Sequence, residues 1–486
     1  VSLDLLIVHP GAAHGIYGAL GDTLVAVESP LWARLIAGYC RDRGWSVRIL
    51  DAEASRVGPE AVAAVAEQER PRLVCLAVYG HQPSASTQQM HGAGLTARAI
   101  RSIWPEAKII MLGGHPSALP GRTMVDEDID YVCVGEGPIT VDTLLRGEQL
   151  ERVPGLVYKV NSVIAMNERA PLIEDIGQLR GDAWDLLPMS AYRAHNWQCF
   201  GDMSRRQPYA SIYTSLGCPM SCSFCCINAP FGERRYRTRP PGDVVAEVRV
   251  LRERYGVSTL KITDEMFVLN PRHYGAICEG LAALPHADEL NIWSYSRIDT
   301  VKPDKLSLLR RAGVRWLALG IESGSAYVRD GARKDFRNSD IEGVVRAIQA
   351  AGINVIGNYI FGLPDDDIAS MCATLSLAQE LNTEFANFYC AMSYPGSPLY
   401  DEAVREGWTL PSSWRAYSQH NSESRPLDTR HVSAAHVLRF RDEAFIQYFS
   451  SSRYQDMIGA KFGEETLAHV RSMTEYKLER KLLEAA

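Results

Sequence analysis

YTSLGCPMSCSFCC, residues 213–226, gathers four of the chain's eleven cysteines into nine positions. Cys218, Cys222 and Cys225 follow the spacing C-x3-C-x2-C, directly after the strand-like run YASIYTSL at 209–216. Thiolates are soft ligands suited to zinc and to iron–sulfur clusters. Gly217 and Pro219 flank the first of them and suit a tight loop wrapped around a compact inorganic core. A structural zinc site would add a fourth ligand and favour C-x2-C pairs, and a bacterial ferredoxin run would read C-x2-C-x2-C with a further remote cysteine. Three thiolates at this spacing instead suit a four-iron cluster that leaves one iron open. Cys226 falls outside the pattern and reads as a small buried apolar side chain.

The rest of the chain supplies the frame. With 486 residues, two to four domains are expected, and 46% apolar with 22% charged residues is ordinary globular composition. A net charge of −7 provides no general field for nucleic acid, and RRYRTRPP (234–241) reads as a solvated stretch ahead of a helix. No apolar run is long enough for a membrane span, and VSLDLLIVHPGAAHG lacks a basic leader, so neither a span nor a signal peptide is expected. An odd, unevenly spread set of cysteines suits a reducing, cytoplasmic setting.

Two α/β rhythms run along the chain. LDLLIVHP (3–10), SVRILDA (46–52), RLVCLAVYG (72–80), KIIMLGGHP (108–116) and DYVCVGEG (130–137) alternate with amphipathic stretches at 29–44, 59–70 and 91–104. This predicts a doubly wound, Rossmann-like domain over 1–145, with ligands beyond the carboxyl ends of its strands. The rhythm lapses over 146–205, read as a linker holding a small hairpin. Six longer strand–helix units follow over 206–400. Six are too few for a closed eight-stranded barrel, so a partial (β/α)6 barrel is expected, with its site at the strand carboxyl ends. Residues 401–486 read as a small helical region.

With its position after the first barrel strand, the cysteine motif resembles that of the radical S-adenosylmethionine (SAM) enzymes. The resemblance implies that Cys218, Cys222 and Cys225 hold a [4Fe-4S] cluster whose open iron binds SAM, and that an electron from it cleaves SAM to a 5′-deoxyadenosyl radical. Phe224 stands where the family has an aromatic residue. ITDEMF supplies Asp264 and Glu265, one of which would hold the SAM amino group. Ser296 and Arg297 of SYSRID, Glu322 of LGIESGS and Gly362 of IGNYIFGLP would complete the cofactor site, with Arg297 on the SAM carboxylate and Glu322 on the ribose diol. A small-molecule substrate and an electron donor of flavodoxin or ferredoxin type are implied as partners.

The doubly wound first domain, with GGHPSALP and VGEGP, resembles the cobalamin-binding subgroup of that family. No D-x-H-x-x-G motif is present, and the strand-end histidines His9, His81 and His115 read as capping or surface residues. Within the subgroup the chain is similar to the aminoglycoside diol dehydratases of apramycin biosynthesis. That implies radical dehydration of a carbohydrate-like molecule such as paromamine, with Tyr213, Asp264 or Glu265 managing the protons. The alternative is a cobalamin-dependent methyltransferase. Short loops bearing His81, Gln82 and His115 favour turnover without cobalamin, the first domain serving as a lid over the barrel mouth.

Overall fold

A computed structural model describes residues 2–11, 16–17, 24–80, 82, 85–334, 336 and 340–484. The first sheet contains β1 (Leu5–His9), β2 (Val47–Asp51), β3 (Leu73–Val78), β4 (Ile109–Gly113) and β5 (Tyr131–Cys133), all parallel, in the order β2-β1-β3-β4-β5. Runs such as LLIVH and LVCLAV are buried throughout, as a sheet covered on both faces requires. Alternation then splits them. Leu6, Val8, Val74 and Leu76 pack on the helices Pro59–Glu69 and Ala85–Ile103, while Leu5, Ile7, Leu73 and Cys75 enter a core continuous with the second domain. The helix at 85–103 begins six residues before the expected 91, which shortens the loop after β3.

The hairpin read into the linker is β6 (Leu156–Val160) and β7 (Val163–Met166). It joins the first sheet, β6 lying antiparallel to β5. Backbone pairing explains this: β5 would otherwise be an unpaired edge. After β7 the chain runs through short 3-10 turns to Trp197 and Gln198, which plug the amino-terminal end of the second sheet. Trp197 packs on Trp293, Trp316 and Phe385. The Gln198 amide donates to the Leu260 and Asn291 carbonyls at 3.0 Å, and its backbone carbonyl accepts from Trp316 Nε1 at 3.1 Å.

The second sheet has six parallel strands: β8 (Tyr209–Ile212), β11 (Thr259–Ile262), β12 (Asn291–Arg297), β13 (Val314–Glu322), β14 (Asn354–Phe361) and β15 (Phe385–Cys390). They lie in chain order, β8 and β15 are unpaired edges, and the barrel is open as six units predict. A two-residue ladder, β9 (Ser215–Leu216) with β10 (Arg237–Thr238), closes the base of the loop that carries the cysteines. Helices at 434–449, 452–462 and 464–475 form the carboxyl-terminal region, the first packed on β15. No described helix is long and apolar enough to cross a membrane.

Among the described residues three buried ion pairs join the domains, one of them Arg34 with Glu247 at 3.3 Å. Glu136, beyond β5, takes Arg237 Nη2 at 2.7 Å, both side chains 5% exposed. Glu28, on the segment before the first helix (Leu31–Arg41), reaches Lys261 of β11 at 2.9 Å, and Ser211 Oγ donates to the same carboxylate. Lys261 Nζ also lies 4.8 Å from the Trp293 ring centroid. Removing one partner of such a pair strands the other charge in a dry interior. Lys261→Met is therefore expected to cost about 3–5 kcal/mol in chemical denaturation, and Lys261→Met with Glu28→Gln to recover more than half of that loss. A single variant as stable as the parent would show that the pair does not hold the domains.

Candidate active site

The cysteine loop hangs from the turn between β8 and β9, and Asp264 aims it. Its carboxylate accepts from the Thr214 amide at 2.6 Å and from the hydroxyls of Thr214 and Ser215. Gly217 turns the chain at φ +82°, where a Cβ would meet the Arg235 carbonyl at 2.2 Å, so only glycine lets the loop close on itself. The Asn228 amide holds the Cys218 carbonyl at 3.2 Å, and the Ser223 amide donates to Ala332 beyond β13 at 3.0 Å.

All eleven cysteines are free, and Cys218, Cys222 and Cys225 are partly exposed at a cavity of about 260 Å³ in the barrel mouth. Among the described residues no three His, Cys, Asp or Glu side chains converge on a single ion. Three thiolates that each take a different iron of a cubane need not converge. Burial pushes the Cys218 thiol up to about 11, and Cys225 well above the usual thiol range, an effect a coordinated metal reverses.

Phe224, Glu265, Ser296, Arg297 and Glu322 line the same cavity. Arg297 Nη1 lies 3.8 Å from Cys222 Sγ, its guanidinium braced by Asp299 at 2.9 and 3.0 Å. Ser296 Oγ is buried on the cavity wall with no hydrogen-bond partner among the described residues, and so is free to meet a polar group there. Glu322 ends β13 at φ +66°, beside a register shift in its pairing with β14. Such strain in a non-glycine residue gathers at functional sites. Burial pushes the Glu265 carboxyl up to about 8, against the pull of Lys261.

Three expected residues lie elsewhere. The Tyr213 hydroxyl donates to the carbonyls of Ile176 and Leu179 and the ring packs under Arg239, away from the mouth cavity, because its position on the strand end sends the side chain to the outer face. Asp264 spends its carboxylate on the β8–β9 turn, which leaves Glu265 as the acid facing the cavity. Gly362 sits in a turn held by Asp366 and abuts Val437 of the helix at 434–449, while Asn358 and Ile360 supply that wall. Sequence reading missed Lys334, whose Nζ lies 2.6 Å from Glu322 Oε1 inside the cavity. A lone lysine twelve positions past Glu322 carries no sequence signal of its own. Two carboxylates, two cations and an orphaned hydroxyl beside three thiols suit the ammonium, carboxylate and diol of SAM.

Residues 212–378 match the model of the radical SAM superfamily, and residues 17–145 match that of the B12 binding domain. The chain joins a B12-binding domain to a radical SAM domain. It is 26% identical over 452 residues to an uncharacterized methyltransferase of Pyrococcus horikoshii, covering 92% of each chain. It is also 26% identical over 346 residues to the cytidylyl-2-hydroxyethylphosphonate methyltransferase of Streptomyces wedmorensis, covering 64% of this chain and 63% of that one. Among solved structures, the radical SAM methyltransferase TsrM from Kitasatospora setae, with cobalamin and a [4Fe-4S] cluster bound, shares the fold at TM-score 0.68 and 17% identity, over 98% of this chain and 100% of that one.

The B12-binding domain turns its strand ends toward the cysteine loop. Ala77, Gly80 and Gly114 face Cys226, Ile227 and Glu265 across a gap of about 90 Å³. At the end of β4, Gly113 has φ +152°, and a Cβ there would meet the Val78 carbonyl at 2.1 Å. Ala77, Gly80 and Gly114 keep part of this floor low for the approach of a corrin and its nucleotide tail, while Trp32, Tyr79 and Phe231 stand in the same gap, which must widen to admit them. The expectation that His115 obstructs the approach is corrected. Its ring is 1% exposed, bonded to Thr87 Oγ1 at 3.2 Å and set edge-on to Trp414, because β4 ends in a short helix that folds it inward. Gln82 does line the gap, and His81 lies outside the described residues.

Asp264→Ala is expected to lower iron bound per reconstituted chain, while Glu265→Gln and Cys226→Ala keep full iron. Glu322→Ala should keep iron as well but weaken SAM binding by about 10- to 150-fold, the loss of about 1.5–3 kcal/mol from a charge-assisted contact. Iron analysis and equilibrium binding check both. Full iron in Asp264→Ala would return that residue to an incidental role.

Proposed function

We propose that this protein is a cobalamin-dependent radical SAM methyltransferase acting on a small molecule, with a flavodoxin or ferredoxin as electron donor. The observation that carries the reading is the meeting of two cavities at Glu265, Cys226 and Ile227. One lies against the strand ends of the B12-binding domain, and the other against Cys218, Cys222 and Cys225. A substrate placed at that junction faces both. The relatives move the reading away from dehydration of an aminoglycoside, since both are named as methyltransferases.

In this reading Cys218, Cys222 and Cys225 hold the cluster. Arg297 and Lys334 balance the SAM carboxylate, Glu265 takes its ammonium, Glu322 its ribose and Ser296 a further polar contact. A four-iron cluster supplies the electron for SAM cleavage, and a cobalamin supplies a methyl carrier. Glu322 and Lys334 are already paired, so SAM binding must exchange that contact for its own. The burial of Glu265 keeps water from competing for the ammonium.

The test is anaerobic incubation of the reconstituted protein with SAM and a strong reductant, with and without hydroxocobalamin. S-adenosylhomocysteine is expected only when cobalamin is present. Conversion of paromamine to a product lighter by one water, with 5′-deoxyadenosine released and no cobalamin added, would establish the dehydratase instead.

A further inference from the structure

Beneath the mouth cavity the barrel lumen continues into a chamber of about 780 Å³, bounded by β11 to β15, by the segment before the first helix, and by the carboxyl-terminal helices. Tyr295, Tyr389 and Gln419 line both spaces, so the chamber opens onto the site that faces the cysteines. A volume of this order suits a whole small molecule, since such pockets run about 300–1,000 Å³.

Its walls are aromatic: Trp197, Trp293, Tyr295, Phe385 and Tyr389. The rings brace one another, Trp197 on Trp293 at 5.2 Å and Trp293 on Tyr295 at 5.0 Å. The buried charges on the wall are already neutralised within the protein. Lys261 is held by Glu28, and Arg441 lies 2.9 Å from Asp442, which Arg480 also holds at 2.8 Å. Arg439, Glu443 and Lys477 are exposed at the rim. His420, also on the wall, is kept neutral by burial, which pulls its ring down to about 3.

We propose that this chamber binds a flat, uncharged aromatic or polycyclic substrate body, a proposal that rests on the enzymatic reading of the mouth site. Aromatic side chains offer such a body large, specifically oriented contact area. A polyamino sugar would bring several ammonium groups into a space whose buried Glu28 and half-buried Asp442 carboxylates are already engaged, and the ammonium groups held in the interior would remain uncompensated. The same argument sets aside the aminoglycoside expected from sequence.

The test uses the reconstituted full-length protein and Nile red, a neutral planar dye. One saturable dye per chain is expected, with blue-shifted emission. Displacement should come from phenazine, not from paromamine and not preferentially from 1-dodecanol. Ala318→Phe and Asn387→Phe place a ring in the chamber from β13 and from β15, and each should weaken the dye at least tenfold. If one variant fails to fold, the other and the displacement series still decide. Unchanged affinity in a folded variant, displacement by paromamine, or tighter competition by dodecanol than by phenazine would each overturn the proposal. Dye binding requires neither SAM turnover nor cobalamin, so its failure and the failure of methyl transfer are read separately.

Discussion

Asp264 is the constraint from which the site is built. It stands at the end of β11 yet spends its carboxylate on the turn that follows the neighbouring strand, taking three hydrogen bonds from Thr214 and Ser215. A carboxylate saturated by one backbone and two hydroxyl donors in a buried setting is a rigid joint. The segment that carries Cys218, Cys222 and Cys225 leaves from that joint, through the β9–β10 ladder and the forced turn at Gly217. Its neighbour Glu265 is released to face the cavity. Two adjacent acids, indistinguishable in sequence, thus divide into one that holds the scaffold and one that meets the ligand.

The two domains are joined by charge as well as by apolar packing. Glu28–Lys261 and Glu136–Arg237 lie on two sides of the junction, and both sacrifice hydration to set one sheet against the other. Since mispaired buried charges are costly, such pairs define a register between domains better than oily surfaces do. The consequence is positional. The strand ends of the B12-binding domain face the cysteine loop across a shared gap, and the lumen is covered along its open side.

That arrangement changes how the first domain is read. As a sequence its loops suggested obstruction, since His115 and Gln82 are bulky and polar. In the fold His115 turns under Trp414 and leaves Gly114 at the surface of the gap. A side chain's size says little about where it goes when it stands in the first turn of a helix, as His115 does. The aromatic lumen likewise appears only in three dimensions, because Trp197 enters from what looked like a linker and joins residues nearly two hundred positions away.

The sequence alone determined the periodicities and therefore the fold class: buried apolar runs made strands, and six units made an open barrel. It also determined the thiol cluster, because C-x3-C-x2-C is a local spacing within one loop. Ser296, Arg297 and Glu322 were legible for the same reason, each sitting at a strand's carboxyl end where the topology sends ligands. What tertiary structure alone decided were the contacts between distant segments: Lys334 on Glu322, Asp264 on Thr214, Glu28 on Lys261, and Tyr213 turned outward onto Leu179. These depend on which face a strand end presents and on how domains dock. Local sequence cannot encode that outcome, because it follows from many weak contacts settling together.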